Sequence, residues 1–150
     1  MITDKDVKYF KLALHTAQKS LDRTKVGAVL VDWCENFHST GYNHIQPIML
    51  HKASIEKVAE LMRGEVDIEG FTKYELVTHA EVDAIMNARF TVPGSTLYCT
   101  HIPCMECAKF IVRCGIDRVV TPNKTTVTFS DRGQHMFSLA GIIHEYIRLS

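Results

Sequence analysis

The sequence lacks the features of a nucleic-acid binder, a membrane protein or a secreted protein. Its 17 Lys and Arg are balanced by 17 Asp and Glu, so it has no basic excess of the kind that duplex and tRNA binders carry. No apolar run approaches the roughly 20 residues that cross a bilayer. The polar start, Met1–Asp6, lacks the apolar core of a signal peptide. We therefore expect a cytoplasmic protein that binds neither a nucleic-acid polymer nor a membrane.

A disulfide framework is also not expected, because the five cysteines are an odd number in a chain without an export signal. Metal ligation or simple burial explains them better. The length of 150 residues with 46% apolar side chains is typical of one globular domain. We predict a single domain over residues 1–150.

Hydrophobic periodicity predicts helices that alternate with short strands. The predicted helices cover residues 3–19, 49–63, 78–88, 104–114 and 132–140, and the strands cover residues 26–31, 38–42, 96–100, 118–121 and 142–147. Residues 64–72 are expected to form an acidic loop, and Val82, Ile85 and Met86 to face inward from their helix. The alternation after residue 78 favours helices layered on a central sheet.

Two motifs contain the residues with the clearest chemistry, His79–Glu81 and Pro103–Cys107. Zinc takes imidazole and thiolate ligands, and a catalytic zinc keeps a fourth position open for water. Two cysteines three residues apart lie on one face of a helix, about one turn from each other. Pro103 suits the first turn of that helix, and the helix N-terminus is expected to lower the pKa of both thiols. We predict a zinc site on His79, Cys104 and Cys107.

Glu81 is the predicted proton carrier. It stands two residues past His79, a spacing that turns its carboxylate away from the ligand and towards the open metal position. There it would accept a proton from water and return it to a ring nitrogen and then to departing ammonia. The combination H-x-E…P-C-x-x-C is a signature of zinc deaminases.

Two structural explanations compete with this interpretation. Each motif alone occurs by chance, and a C-x-x-C in a helix is often two buried cysteines. A structural zinc site would need a fourth ligand, for which Cys99 and Cys114 are the candidates. The ordered combination of both motifs favours the catalytic interpretation.

Several stretches of the chain resemble the cytidine deaminase superfamily and, within it, the deoxycytidylate deaminases. They are residues 24–29, 41–43, 79–85, 98–109 and 115–120 and, more weakly, residues 140–142. The resemblance implies an α/β fold, a three-layer α/β/α sandwich with a five-stranded mixed sheet. It also implies zinc-dependent hydrolysis of dCMP to dUMP, with zinc on His79, Cys104 and Cys107 and with Glu81 as proton shuttle.

Five residues are expected to contact the substrate. Asn43 matches an asparagine that contacts the sugar in the superfamily, although an αL turn residue is an equal alternative. Backbone groups beside the metal ligands, at Ala80, would orient the base, and Asp83 lies on the same predicted helix. Lys25 and His101 are candidates for the pocket mouth, where a phosphate needs a cationic partner; a solvated surface role is the alternative for both.

The resemblance further implies a homo-oligomer, often a hexamer, that dCTP activates and dTTP inhibits, with Mg²⁺ accompanying such an effector. This chain departs from the family pattern at three positions. His44 replaces a glycine of the effector region, Asp83 replaces an asparagine, and Thr121 replaces a tyrosine. A carboxylate at position 83 would repel a phosphate. Other substrates therefore stay open: a modified dCMP, a nucleoside or a purine base. A catalytically silent, zinc-stabilised nucleotide sensor is the alternative from another class.

Overall fold

The computed structural model describes residues 1–123 and 131–149. The helices are α1 (Asp4–Ala17), α2 (Ile55–Met62), α3 (Lys73–Leu76), α4 (Ala80–Met86), α5 (Met105–Arg113) and α6 (Asp131–Ala140), with a 3-10 turn at Pro47–Leu50. The strands are β1 (Gly27–Val31), β2 (His38–Tyr42), β3 (Thr96–Cys99), β4 (Arg118–Pro122) and β5 (Ile143–Ile147). Among the residues described, no helix is long and apolar enough to span a membrane.

The five strands form one mixed sheet in the order β2-β1-β3-β4-β5. Strand β1 pairs antiparallel with both β2 and β3, whereas β3, β4 and β5 run parallel. Helix α1 packs on one face, and α4, α5 and α6 cover the other. The predicted three-layer α/β/α fold with a five-stranded mixed sheet is confirmed.

Strand β1 is apolar and fully buried along its length, as expected for a strand that is covered on both faces. Its side chains alternate between two clusters. Ala28 and Leu30 pack with the layer of α4, α5 and α6, and Val29 and Val31 pack with α1. The strand therefore forms the centre of both cores.

Two glycines let the helices lie directly on the sheet. A Cβ at Gly27 would come within 2.0 Å of the Ala13 carbonyl oxygen, and a Cβ at Gly41 within 2.2 Å of the Ala84 nitrogen. No side chain larger than hydrogen fits at either place without moving the helix. The close contact at Gly41 sets the distance between α4 and β2. Helix α4 begins with Ala80 and Glu81 of the predicted zinc motif.

The segment between β2 and α4 differs from the sequence prediction. A single helix over residues 49–63 is wrong, because the 3-10 turn ends at Leu50 and α2 starts anew after Ser54, whose hydroxyl accepts from the Lys57 N–H. Helix α3 was not predicted. Met86 is 66% exposed, so its predicted inward orientation is also wrong; it stands on the last, outer turn of α4.

Candidate metal centre

His79, Cys104 and Cys107 meet where α4 and α5 begin. His79 is the N-cap of α4, Cys104 is the N-cap of α5, and Cys107 follows in the first turn of α5. The three ligand atoms lie within 4.8 Å of one another. His79 Nδ1 is 3.3 Å from Cys107 Sγ and 3.7 Å from Cys104 Sγ.

These distances fit a tetrahedral zinc ion. Zn–N and Zn–S bonds of about 2.0 and 2.3 Å at the tetrahedral angle separate the nitrogen and sulfur by about 3.5 Å. The chemistry of the donors fits as well, since imidazole and thiolate are the ligands that zinc prefers. In the part of the chain that the structure describes, three side chains form this group. The set therefore leaves one position for a reactant.

Two details of the sequence prediction need correction. Pro103 lies before the N-cap and so outside α5. Hydrogen bonds from Cys107 and His79 lower the pKa of Cys104 to about 3, but the bond to Cys104 and burial raise the pKa of Cys107. The pKa is therefore lowered for Cys104 only. The Cys107 thiol keeps its proton and donates it in the hydrogen bond that stabilises the Cys104 thiolate.

Glu81 stands beside the three ligands in the first turn of α4. It is only 4% exposed and lines the same cavity as His79 and Cys104. Its Oε1 accepts a hydrogen bond of 2.9 Å from the Cys99 thiol. Cys99 is thus bonded to Glu81 and is not a fourth ligand, and Cys114 is the C-cap at the opposite end of α5.

The cavity above the ligands has a volume of about 290 Å³, at the lower end of the range for small-molecule sites. Asn43, Ala80 and His101 line it, as their predicted roles require. Asn43 holds the preceding loop, since its Oδ1 accepts from the Val26 N–H and its Nδ2 donates to the Thr24 carbonyl, both at 2.9 Å. Asn43 therefore holds the loop before β1 and also lines the cavity, and its backbone is not in the αL region of the alternative interpretation.

Lys25 and Asp83 are not among the residues that line the cavity, and their predicted substrate contacts stay predictions. The Lys25 ammonium donates to the Ser20 carbonyl. Asp83 is buried and accepts hydrogen bonds from the Tyr42 N–H at 3.2 Å and from Gln46 Nε2 at 3.4 Å. The position of Asp83 on α4 directs its side chain towards the end of β2.

Asp83 also lies 3.6 Å from Nδ1 of His44. His44 and Asp83, two of the three departures from the family pattern, are therefore neighbours, and the imidazole and the carboxylate face each other. Repulsion of a phosphate by Asp83 is not supported, because its carboxylate faces His44 and Gln46.

Lys73 is the site residue that the sequence analysis missed. Its ammonium lies 3.2 Å from both carboxylate oxygens of Asp22 and 3.3 Å from the Met62 carbonyl oxygen. It is the one Lys or Arg among the described residues that line the cavity. The pattern Thr72–Glu75, a capping box, is the signal that would have located α3 and with it Lys73.

Known proteins are similar to this chain in sequence and in fold. A family model described as the cytidine and deoxycytidylate deaminase zinc-binding region matches residues 3–122. Human deoxycytidylate deaminase is 35% identical over 114 residues, 75% of this chain and 61% of that protein. A protein of Aliivibrio fischeri named "Uncharacterized deaminase in luxG 3′ region" is 30% identical over 149 residues, 95% of this chain and 92% of its own.

Among solved structures, the dCMP deaminase of cyanophage S-TIM5 in complex with dCMP and dUMP superposes with a TM-score of 0.73. It is 25% identical and covers 98% of this chain and 99% of its own. The chain spans 61% of the length of the human relative, so the activity of the longer protein does not transfer by similarity alone.

Proposed function

The chain belongs to the cytidine and deoxycytidylate deaminase family, and we propose that it catalyses the hydrolytic deamination of dCMP to dUMP and ammonia. The observation that carries the proposal is the grouping of His79, Cys104 and Cys107 with the buried carboxylate of Glu81 at one cavity. The family is zinc-binding, and the ligand set fits Zn²⁺. The names of the relatives and the dCMP and dUMP of the phage enzyme support the choice of substrate.

The residues of the chain divide the work of the reaction. His79, Cys104 and Cys107 hold the metal, which when bound lowers the pKa of water and so supplies the attacking nucleophile. Glu81 accepts the proton that the water loses. It passes this proton to the ring nitrogen of the base, then takes the proton of the hydroxyl group added to the ring carbon and delivers it to the departing amino group, which leaves as ammonia. Burial keeps bulk water from competing for these transfers.

The remaining wall residues orient the substrate. The Ala80 backbone lies beside the metal ligands and directs the base, while Asn43 supports the sugar and His101 stands at the edge. A 5′-phosphate needs a charged or N–H partner, and Lys73 supplies an ammonium among the lining residues. We assign the phosphate contact to Lys73 in place of Lys25.

A nucleoside is the second candidate substrate, and one specific observation favours it. The ammonium of Lys73 is already paired with Asp22, so the described wall of the cavity offers little net positive charge to a phosphate. A panel of dCMP, deoxycytidine, modified dCMP and purine bases, assayed for ammonia release, separates these substrates. Preference for deoxycytidine over dCMP would replace the first proposal by the second.

Glu81→Gln tests the mechanism. General acid–base catalysis contributes about 10²- to 10⁴-fold to a rate, so we expect kcat for dCMP to fall by that factor while the zinc content stays at the wild-type level. Glu106→Gln is the matched control, since Glu106 is an exposed glutamate in the first turn of α5, and it should leave kcat unchanged. Near-normal turnover in Glu81→Gln would remove Glu81 from the mechanism. Nucleotide-dependent thermal shifts without ammonia release from the wild type would indicate a silent sensor.

Several predictions made from the sequence remain predictions. They are regulation by dCTP and dTTP, an accompanying Mg²⁺, a hexamer, a cytoplasmic location and a single domain over residues 1–150. Effector binding is the first of these to measure, because His44 replaces a glycine in the effector region of the family.

A further inference from the structure

Cys99 and Glu81 form a buried pair that the proposed reaction does not use. Cys99 is the last residue of β3 and stands opposite Ala28 of β1. It has no exposed surface, and Glu81 is only 4% exposed. The Sγ–Oε1 distance is 2.9 Å, which is short for a hydrogen bond to sulfur.

The thiol is the donor of this bond. Burial, followed by the charge of Glu81, raises the pKa of Cys99 well above its ordinary value, so the S–H stays protonated near neutral pH. Cys99 belongs to the same core cluster as Ala28, Ala80 and Ala84, and the backbone of Thr100 and His101 lies beside its sulfur. A buried carboxylate oxygen that accepts no hydrogen bond lowers the stability of the fold. The Cys99 thiol supplies the donor for Oε1 of Glu81.

A thiol is a suitable donor for a carboxylate that must accept a proton. It is neutral and weak, so it orients Glu81 without neutralising its charge as a lysine or arginine would. A glutamate also has three rotatable side-chain bonds, and a bond to Oε1 restricts all of them. The carboxylate is thereby held against the sheet while it remains part of the cavity wall.

We propose that Cys99 is a positioning residue that aims the Glu81 carboxylate for proton transfer through the Sγ–H···Oε1 hydrogen bond. The proposal rests on the proposed function, since it assigns Glu81 the role of proton carrier. A misplacement of about 1 Å in a reacting group can cost as much as about 100-fold in rate. Loss of this bond should therefore act on kcat and not on binding.

Substitution by an isosteric pair separates positioning from packing. Valine and threonine have nearly the same shape, and only threonine has a donor. We expect Cys99→Val to lower kcat about tenfold with KM within about twofold, and Cys99→Thr to recover most of that loss. Cys99→Ala and Cys99→Ser form a second pair of smaller size and should differ in the same direction. Equal kcat within both pairs would overturn the proposal, because a space-filling role does not distinguish a hydroxyl from a methyl group.

Cys114→Ala is the control for loss of a thiol. Cys114 packs against the same cluster from the end of α5, and this variant should keep the wild-type kcat. Zinc content and melting temperature, measured for every variant, verify that each one folds and holds the metal.

The infrared S–H stretch gives a readout independent of turnover. The band that disappears in Cys99→Val should lie at lower frequency than the Cys114 band in the wild type, and it should move to higher frequency in Glu81→Ala. A Cys99 band that is insensitive to Glu81→Ala would overturn the proposal. Absence of ammonia release by the wild type on every substrate would instead refute the proposed function, and the role of Cys99 would fall with it even if the infrared band showed the bond.

Discussion

The two carboxylates of the cavity have different partners, although both line its wall. Asp22 is paired with the ammonium of Lys73. Glu81 instead accepts from the neutral thiol of Cys99. A paired carboxylate is a poor proton acceptor, whereas one that meets only a neutral donor keeps its charge available. This difference supports the proposed catalytic role of Glu81, and in the same proposal Asp22 sets the charge that Lys73 presents to a substrate.

Lys73→Met tests the assigned phosphate contact. Hydrogen bonds to charged groups contribute about 1.5–3 kcal/mol, so we expect kcat/KM for dCMP to fall about 10- to 100-fold while kcat/KM for deoxycytidine changes little. The ratio of the two values, measured by ammonia release, is the readout.

Asp22→Asn and Lys57→Met serve as controls for that experiment. Asp22→Asn frees the Lys73 ammonium and should raise the preference for dCMP, the direction opposite to Lys73→Met. Lys57 is an exposed lysine on α2, and its replacement should leave the ratio unchanged. An unchanged ratio in Lys73→Met would exclude this lysine as the phosphate contact.

At the scale of elements, a buried ion-pair network joins α1 to the sheet. Asp6 on α1 accepts from Arg118 of β4 at 2.7 and 3.1 Å and from the Tyr98 hydroxyl of β3 at 2.6 Å. Burial opposes ionisation, but the hydrogen bonds from Arg118, Tyr98 and Thr3 hold the pKa of Asp6 well below its ordinary value. The network orients α1 on the face of the sheet opposite the metal centre.

The free energy of unfolding should depend on pH through Asp6. Because the folded pKa lies below the ordinary value of about 3.9, the contribution of Asp6 is complete above that pH and is lost as the pH falls below it. Asp6→Asn should cost about 3 kcal/mol at pH 7, and the difference from the wild type should shrink between about pH 5 and pH 2. Urea unfolding across this range measures it.

Asp4→Asn is the matched control for Asp6. Asp4 is an exposed aspartate in the same first turn of α1, and its replacement should change the free energy of unfolding by about 0.5 kcal/mol or less. A wild-type pH profile in Asp6→Asn would contradict the role given to the network.

At the scale of the whole molecule, the metal centre links two helices that are separated along the chain. His79 begins α4 and the two cysteines begin α5, and strand β3 lies between them in sequence. A bound ion would join these two helix ends and stabilise the folded state by mass action, because the unfolded chain does not gather the three ligands.

Chelation should therefore lower both activity and stability. If zinc is present at about 1,000 times its dissociation constant, it contributes about 4 kcal/mol, which corresponds to about 10 °C in melting temperature for a chain of this size. We expect a chelator to abolish ammonia release and lower the melting temperature by that order, and added Zn²⁺ to restore both.

Two cysteine variants check that the effect arises at this site. Cys104→Ala should melt at the chelated temperature with or without chelator. Cys34→Ala, which removes an exposed thiol bonded to Asp32, should respond as the wild type does. If the chelator leaves the wild-type melting temperature unchanged, zinc does not join these helices.

The sequence by itself determined the features that depend on local spacing. The strands and most helices follow from periodicity. The placement of Cys104 near Cys107 and of Glu81 near His79 also follows from spacing, because a residue's position within a helical turn determines which neighbours share its face. The wrong boundaries at residues 49–63 and the missed α3 arose because N-cap residues, Ser54 and Thr72, mark where those helices begin. Periodicity does not locate such ends.

Only the tertiary structure decided which side chains from distant segments contact each other. It turned Asp83 towards His44 and Lys25 towards Ser20, and it brought Lys73 to the cavity and Cys99 to Glu81. The distances between such residues are set by how α4 seats on β2 and how β3 runs beneath it. These contacts depend on the packing of whole layers, which no spacing within one segment specifies.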